Sequence, residues 1–338
     1  MNDLILGSAL PLAEAYPLAL VDLDGVAYKG HEPIEYAASG LAAARAMGMG
    51  LVFVTNNASR EPQEVADQLT GLDIPALESE VMTAAQACAR LLSEHVEPGA
   101  KVLVVGGAGL ITAVSELGYE VVASAADNPA AVAQGFHPSL GWAQLAEAAY
   151  AVAAGSIHVA SNLDLSLPTD RGFAPGNGAL VGAVVNATGV KPFSAGKPSP
   201  AMYRMAMDKA GVTDALVVGD RLDTDLAGAR SGGLHGVHVL TGVNSIYDDI
   251  LAVPAHRPHF IVRDLRGLVQ RQPTPVVENG WVTCGNGAAR VVDGALELSS
   301  NASADELDLG RAACVAVWSF VDEGGEFDAS SLPAFDTL

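Results

Sequence analysis

Four consecutive uncharged residues, Leu18-Ala-Leu-Val21, run straight into two carboxylates and a glycine, Asp22-Leu-Asp24-Gly25. A short apolar run without polar alternation fits a strand buried on both faces of a parallel sheet, and ligands of such sheets collect beyond the carboxyl ends of the strands. Asp22 and Asp24 stand at that end. Side chains two apart on an extended segment point the same way, so both carboxylates are expected to face one small site if strand geometry persists for one more residue. Asp-x-Asp-Gly also opens a calcium loop, but an EF-hand needs a glutamate at loop position twelve, which Pro33 holds here. A plain surface turn is the other alternative.

The same grammar recurs along the chain. Pro33 to Met47 carries apolar residues at helical spacing and closes at Gly48, completing a βα unit. A second apolar strand, Leu51–Val54, ends in Thr55-Asn56-Asn57, and Ser59 and Pro62 open a helix to Leu69. The backbone N–H groups near Asn56 and Asn57 are then expected to be available to an anion, although polar residues also simply terminate strands. Lys101–Val105 leads into Gly106-Gly-Ala-Gly109, which resembles a dinucleotide loop until Thr112 falls where its last glycine should be; an ordinary βα turn is expected. Strands and helices alternate through Tyr119–Val122, Gly141–Ala149 and Ser156–Ala160 to a polar loop from Ser161 to Gly178, long enough to suggest a function.

Further on, Lys197 precedes a helix that runs to Ala210 and stops at Gly211, so a cation and a helix N-terminus are expected at one spot; an ordinary surface lysine is the alternative. Leu216–Gly219 then spills into Asp220, Asp223 and Asp225, a second acidic cluster in which Thr224 or Asp225 is expected to cap the following helix. His235 and His238 fall on an expected strand, where they would face opposite sides, and are read as structural. Beyond Gln270 the chain changes character, with short strands around Gly280–Cys284 and Ala288–Val292. A last helix has Ser303 and Glu306 as a capping box and Leu307, Cys314, Val317, Trp318 and Val321 as its apolar face. This tail holds no catalytic constellation and is expected to be dispensable for chemistry.

Composition bounds the class. The 338 residues, 50% apolar, supply material for two or three domains, and 39 acidic against 18 basic residues leave a net charge of −21. That charge argues against nucleic acid and anionic membranes as partners, and a phosphorylated substrate would need local positive potential from a metal or lysine. Three scattered cysteines, no basic leader around Asp3 and no apolar run of ~20 residues point to a reducing, cytoplasmic setting.

Two acidic clusters, a threonine with asparagines and a helix-capping lysine are what phosphoryl transfer to a carboxylate requires. A phosphate monoester repels an attacking carboxylate, so a divalent metal on Asp22, Asp220 and the backbone carbonyl of Asp24 must neutralise it; oxygen ligands favour Mg²⁺. Thr55, Asn56 and Lys197 would hold the phosphoryl oxygens, Asp22 would attack, and Asp24 would protonate the leaving group and then activate water.

These residues resemble the haloacid dehalogenase superfamily, whose four motifs appear as Asp22-Leu-Asp24-Gly25-Val, Thr55-Asn56-Asn57, Lys197-Pro and Gly219-Asp220-Arg-Leu-Asp-Thr-Asp225. Dehalogenase members lack the second aspartate of the first motif, so Asp24 points to phosphatases. Thr55 lies 33 residues after Asp22, Lys197 142 after Thr55, and Asp220 23 after Lys197, so the extra domain is inserted between the second and third motifs. That spacing is similar to class IIA, with its C2-type α/β cap, as in nitrophenylphosphatase, phosphoglycolate phosphatase and pyridoxal phosphatase relatives. Phe53 to Arg60, the loop ending in Pro-Gly-Asn-Gly178 and Leu240 to Ser245 most resemble actinobacterial glycerol 3-phosphate phosphatases, which carry a C-terminal extension likened to part of an acetyltransferase fold.

The resemblance implies an α/β protein: a Rossmann-like doubly wound parallel-sheet core in 1–89 and 188–270, an inserted cap in 90–187, and a small α+β extension in 271–338. It implies a Mg²⁺-dependent phosphatase acting through an aspartyl-phosphate on a small phosphate monoester, with Asp225 behind the metal ligands. Glycerol 3-phosphate is the expected substrate, with 2-phosphoglycolate and pyridoxal phosphate as alternatives, and a non-catalytic binding module as the different class. Because the core motifs are committed to phosphate and metal, substrate choice is expected from Asn162, Asp164 and Arg171 of the inserted loop. A homo-oligomer is left open.

Overall fold

The structure, a computed structural model, describes residues 4–169, 171–299 and 305–335. They form two compact units, one from Met1–Leu51 with Ala210–Leu338 and one from Val52–Lys209.

In the first unit the strands Phe260–Val262, His235–Val239, Leu216–Gly219 and Leu18–Val21 lie side by side in that order, all parallel. Every residue of Leu18–Val21 and of Leu216–Gly219 is buried, which is why neither run alternates with polar residues. Val21 pairs with Val218, so the two strands end together and their following aspartates emerge at the same level. The helix expected from Pro33 begins only at Ala37, because Glu32–Pro33 pairs with Tyr28–Lys29 in a small hairpin first. After Asp220 the chain makes a π turn over Leu222–Leu226 and continues as the helix Ala227–Gly232, ended by Gly233 in the left-handed conformation.

The C-terminal extension belongs to this unit. It has four antiparallel strands, Val276–Glu278, Trp281–Cys284, Gly287–Val292 and Ala295–Leu298, where two were expected, and a helix, Glu306–Asp322. That helix is capped by Asp305, whose carboxylate accepts from the Leu307 N–H at 2.9 Å; Ser303, expected as the cap, lies outside the described residues. Leu307, Cys314, Val317 and Trp318 are buried as expected, but Val321 is 43% exposed. The helix joins Ile246, Ile250 and Ile261 in one apolar cluster with Val282, Ala289 and Leu296. The extension therefore shares a hydrophobic core with the parallel-sheet region instead of standing as a separable tail. Polar ties reinforce it: Arg311 donates to the carbonyl of Ile261 and to Gln272, and Arg257 makes a two-pronged pair with Asp322 at 2.6 and 2.7 Å while lying 5.0 Å from the Trp318 ring centre.

The second unit holds a five-stranded parallel sheet ordered Phe193–Ser194, Ile157–Ala160, Ala131–Gln134, Lys101–Val105, Glu120–Val122. Helices Trp142–Ala153 and Asn177–Thr188 contribute Ala148, Ala151, Val152 and Val184 to the core over Leu103, Val105 and Val132. Ala131–Gln134 was not expected as a strand; at four residues it is too short for periodicity to reveal. In the same unit Phe53–Thr55, the end of the strand Gly50–Thr55, pairs in parallel with Val81–Thr83. The glycines after Lys101–Val105 have a packing reason: a side chain at Gly107 or Gly109 would strike the backbone of Ser59 or Arg60. The expected loop 161–178 contains a hairpin, Ser166–Thr169 with Gly172–Pro175, before the helix that starts at Asn177. Among the described residues no helix is long and apolar enough to cross a membrane.

Candidate active site

Three carboxylates of the first unit converge. Asp22, Asp220 and Asp225 each present an oxygen within 4.8 Å of the others, and all three are buried. The register explains the first two, since Asp22 follows its strand with its N–H on the Val218 carbonyl at 2.8 Å and Asp220 follows the neighbouring strand directly. Asp225 comes back toward them on the π turn, its carboxylate accepting from the Arg221 N–H at 3.3 Å; the expected cap on the following helix is not formed, because that helix is entered from Leu226 with no side-chain cap. Asp225 occupies the space a side chain at Gly219 would need. Gly25, at φ +84°, and Gly242 likewise leave room for the Asp220 carboxylate, which also accepts from the Val243 N–H at 2.7 Å.

Bringing like charges within 4.8 Å costs on the order of 3 kcal/mol per pair at an effective dielectric of ~20. A hard divalent cation relieves that repulsion, and an all-carboxylate donor set suits one. Asp24 is arranged differently. The strand ends at Val21, the chain turns through Leu23–Tyr28 with the Gly25 N–H on the Tyr28 carbonyl, and Asp24 is exposed, its carboxylate outside the buried group. The expectation that Asp22 and Asp24 share one extended face gives way to one buried and one solvent-facing carboxylate.

The second unit gathers the other residues around Asn56. Its side-chain oxygen accepts from the Lys197 N–H at 2.8 Å, and its amide donates to the Lys197 carbonyl at 3.2 Å and to both Asp164 oxygens at 3.1 and 3.3 Å. Asn162 donates to the Asn56 carbonyl at 2.7 Å and itself receives Asp164 N–H at 3.2 Å. Lys197 is buried, its ammonium donating to the Val54 carbonyl at 3.2 Å, and the helix beyond it starts at Ala201. Thr55 is buried and its hydroxyl accepts from the Asn57 N–H at 3.1 Å, while Asn57 takes the Ser59 N–H at 2.8 Å. The Asn57 N–H expected for an anion is therefore already bonded, and the helix starts at Pro62 because Glu64 caps the N–H of Glu61. Arg171 lies exposed between the hairpin strands.

Behind Asp220 stands a pair that sequence reasoning did not place. His238, fully buried, contacts Asp249 through Nδ1 at 2.7 Å and the Asp220 carbonyl through Nε2 at 3.2 Å. A carbonyl only accepts, so Nε2 carries a proton and one further proton is shared between Nδ1 and Asp249. Burial disfavours the imidazolium, but the carboxylates of Asp249 and Asp220 outweigh it and raise the His238 pKa. Burial raises that of Asp249. His235 faces the other way, against Tyr16, as its odd spacing from His238 on a strand requires. Nothing in the spacing of His238 and Asp249 marks them as partners.

Comparison with known proteins agrees with this geometry. Residues 19–120 match the haloacid dehalogenase-like hydrolase family and residues 194–268 an HAD-hydrolase-like family. The chain is 43% identical to D-glycerol 3-phosphate phosphatase of Mycobacterium tuberculosis over 91% of its own length and 87% of that protein's. The chain belongs to the haloacid dehalogenase-like hydrolases. Within them it is an enzyme of the phosphoric monoester hydrolase class. An acid sugar phosphatase of Staphylococcus aureus is 36% identical over 69% of this chain and 90% of that one. In three dimensions the chain is similar to a glycerol phosphate phosphatase of Mycobacterium tuberculosis in complex with magnesium, with a TM-score of 0.84, 42% identity and 93% of each chain covered. It is also similar to p-nitrophenyl phosphatase of Archaeoglobus fulgidus, at a TM-score of 0.70 and 30% identity over 75% of this chain and 98% of that one. Parallel sheets flanked by helices, with a Rossmann-like core, fit the fold of these hydrolases.

Proposed function

We propose that this hydrolase is a Mg²⁺-dependent glycerol 3-phosphate phosphatase that works through an aspartyl-phosphate on Asp22. The observation that carries the reading is the buried group of Asp22, Asp220 and Asp225, with the solvent-facing Asp24 two residues after the nucleophile. Asp22, Asp220 and the Asp24 carbonyl would hold Mg²⁺, with Asp225 steadying or joining them. When bound, the ion screens the carboxylates from the substrate's phosphate charge. Asp22 attacks phosphorus; Asp24 donates a proton to the departing alkoxide and later takes one from the water that hydrolyses the acyl phosphate, a cycle its exposure permits. Thr55, Asn56 and Lys197 are assigned the phosphoryl oxygens, the buried ammonium supplying positive potential that the net charge of −21 does not.

Residues 90–187 are proposed as the C2-type cap between the core segments 1–89 and 188–270, with 271–338 as the extension. Within the cap, Asp164 and Arg171 are assigned recognition of the leaving group, and Asn162 acts by holding the chain at Asn56 and Asp164. A carboxylate at 164 suits the hydroxyls of glycerol and repels the carboxylate of glycolate. The preference for glycerol phosphate is supported by the 43% identity to the mycobacterial enzyme.

The test is phosphate release from glycerol 3-phosphate, 2-phosphoglycolate, pyridoxal phosphate, a sugar phosphate and an aryl phosphate, with Mg²⁺ and with chelator. The expected result is Mg²⁺-dependent turnover with the highest kcat/KM on glycerol 3-phosphate. A higher value on another ester replaces the substrate, and no release from any ester makes the chain a binding module.

A further inference from the structure

The extension contributes a polar connection that ends at a proposed metal ligand. Trp318, on its helix, is buried and donates its indole N–H to the Asp249 carbonyl at 2.9 Å. Asp249 binds His238 at 2.7 Å, and His238 binds the Asp220 carbonyl at 3.2 Å. All four residues lie in the first unit and have almost no solvent exposure.

We infer that Trp318, Asp249 and His238 are positioning residues that fix the main chain of Asp220, making the C-terminal extension part of the metal site's support. This inference rests on the metal reading above.

Asp220 follows its strand at the start of a turn, and its carbonyl accepts from His238 Nε2 and from the Asn244 N–H, each at 3.2 Å, while the Val243 N–H orients its carboxylate at 2.7 Å. His238 can swing about its own side-chain torsions unless the second ring nitrogen is held, and the buried Asp249 carboxylate holds it. Asp249 sits on the short helix Ile246–Ile250, five residues long, which has too few internal hydrogen bonds to be rigid alone. The Trp318 indole ties that helix to the 17-residue helix Glu306–Asp322, a far stiffer element. Trp318 is in turn held by the guanidinium of Arg257. Partners of this kind commonly change metal affinity or activity by ~10–100-fold when removed.

The experiment is direct Mn²⁺ binding, followed by paramagnetic resonance of the free ion, together with kcat and KM on the best phosphate ester, for wild type, W318F, H238N and H238Q. Trp318→Phe keeps an apolar aromatic ring and loses the N–H together with the pyrrole part of the indole. His238→Gln can still donate to the Asp220 carbonyl from the Nε2 position, whereas His238→Asn cannot reach it. The expected result is weaker Mn²⁺ binding and lower kcat with little change in KM, by ~10–100-fold in H238N, less in W318F, and with H238Q recovering most of the loss. Thermal unfolding of each variant identifies any that fail to fold, and H238Q, close to His in volume, keeps the core filled. Wild-type affinity and kcat in folded W318F and H238N overturn the inference while leaving the phosphatase reading intact. A wild-type protein that binds no Mn²⁺ overturns the metal reading, and the inference falls with it.

Discussion

The Asp164 carboxylate receives the Asn56 side-chain amide at both oxygens, 3.1 and 3.3 Å, across 108 residues of sequence. One residue assigned to substrate choice thus holds one assigned to phosphate. A separation of the two tasks along the chain, natural when the motifs are read in order, does not survive in the folded unit.

Asp164→Ala is accordingly expected to lower kcat/KM on both glycerol 3-phosphate and an aryl phosphate, by about 1–3 kcal/mol of transition-state stabilisation, because the Asn56 amide loses a charged acceptor. Any extra loss on glycerol 3-phosphate measures recognition of the leaving group. An unchanged aryl-phosphate value would show that Lys197 and Asn162 suffice to hold Asn56 in place.

Asp22→Asn should abolish turnover with the fold intact, since the amide packs like the acid and does not attack phosphorus. Asp24→Asn should slow both formation and breakdown of the acyl phosphate, as measured by burst and steady-state phosphate release. Recovery of more than a few per cent of turnover in D22N without deamidation would remove the nucleophile assignment.

Ending the chain before Pro273 is expected to destabilise the first unit, contrary to what the motif order suggests. It would uncover Ile246, Ile250 and Ile261 and leave Arg257 without Asp322. Calorimetry on the shortened protein checks this: a cooperative transition at the full-length temperature would mean that the sheet region folds independently.

Acid should weaken the fold through histidines that are buried neutral. Burial lowers the His158 pKa from 6.5 to about 4, and burial with the nearby Arg230 and His235 charges lowers that of His259 to about 3. In both cases the unfolded chain takes the proton first, so the contribution is full above pH 6.5 and is lost as pH falls from there toward 4 and 3. Urea unfolding at pH 7.5, 6 and 5 should show falling stability, with a shallower fall in His158→Gln. Equal slopes for variant and wild type would mean that His158 is not buried neutral.

What the amino-acid order determined about this protein is what is local. Leu18–Val21 and Leu216–Gly219 declare buried strands because neither admits a polar residue, and the aspartates after them stand at strand ends for the same reason. The joint pattern of Asp22, Thr55, Lys197 and Asp220 was enough to indicate the hydrolase family. The tertiary structure decided how closely the acids meet. Asp225 reads as a cap by its spacing and as a residue behind the metal ligands by the family resemblance, and the π turn brings it within 4.8 Å of Asp22 and Asp220. His238 reads as an ordinary strand residue until Asp249 and Asp220 are found on either side of its ring. The extension shows no chemistry in sequence, and only the fold brings its Trp318 N–H to the Asp249 carbonyl beside His238. The reason is that a side chain's partners across the core are set by strand register and helix docking, which are collective results of burying apolar surface. Periodicity reports which face is buried and carries no information about what lies opposite it.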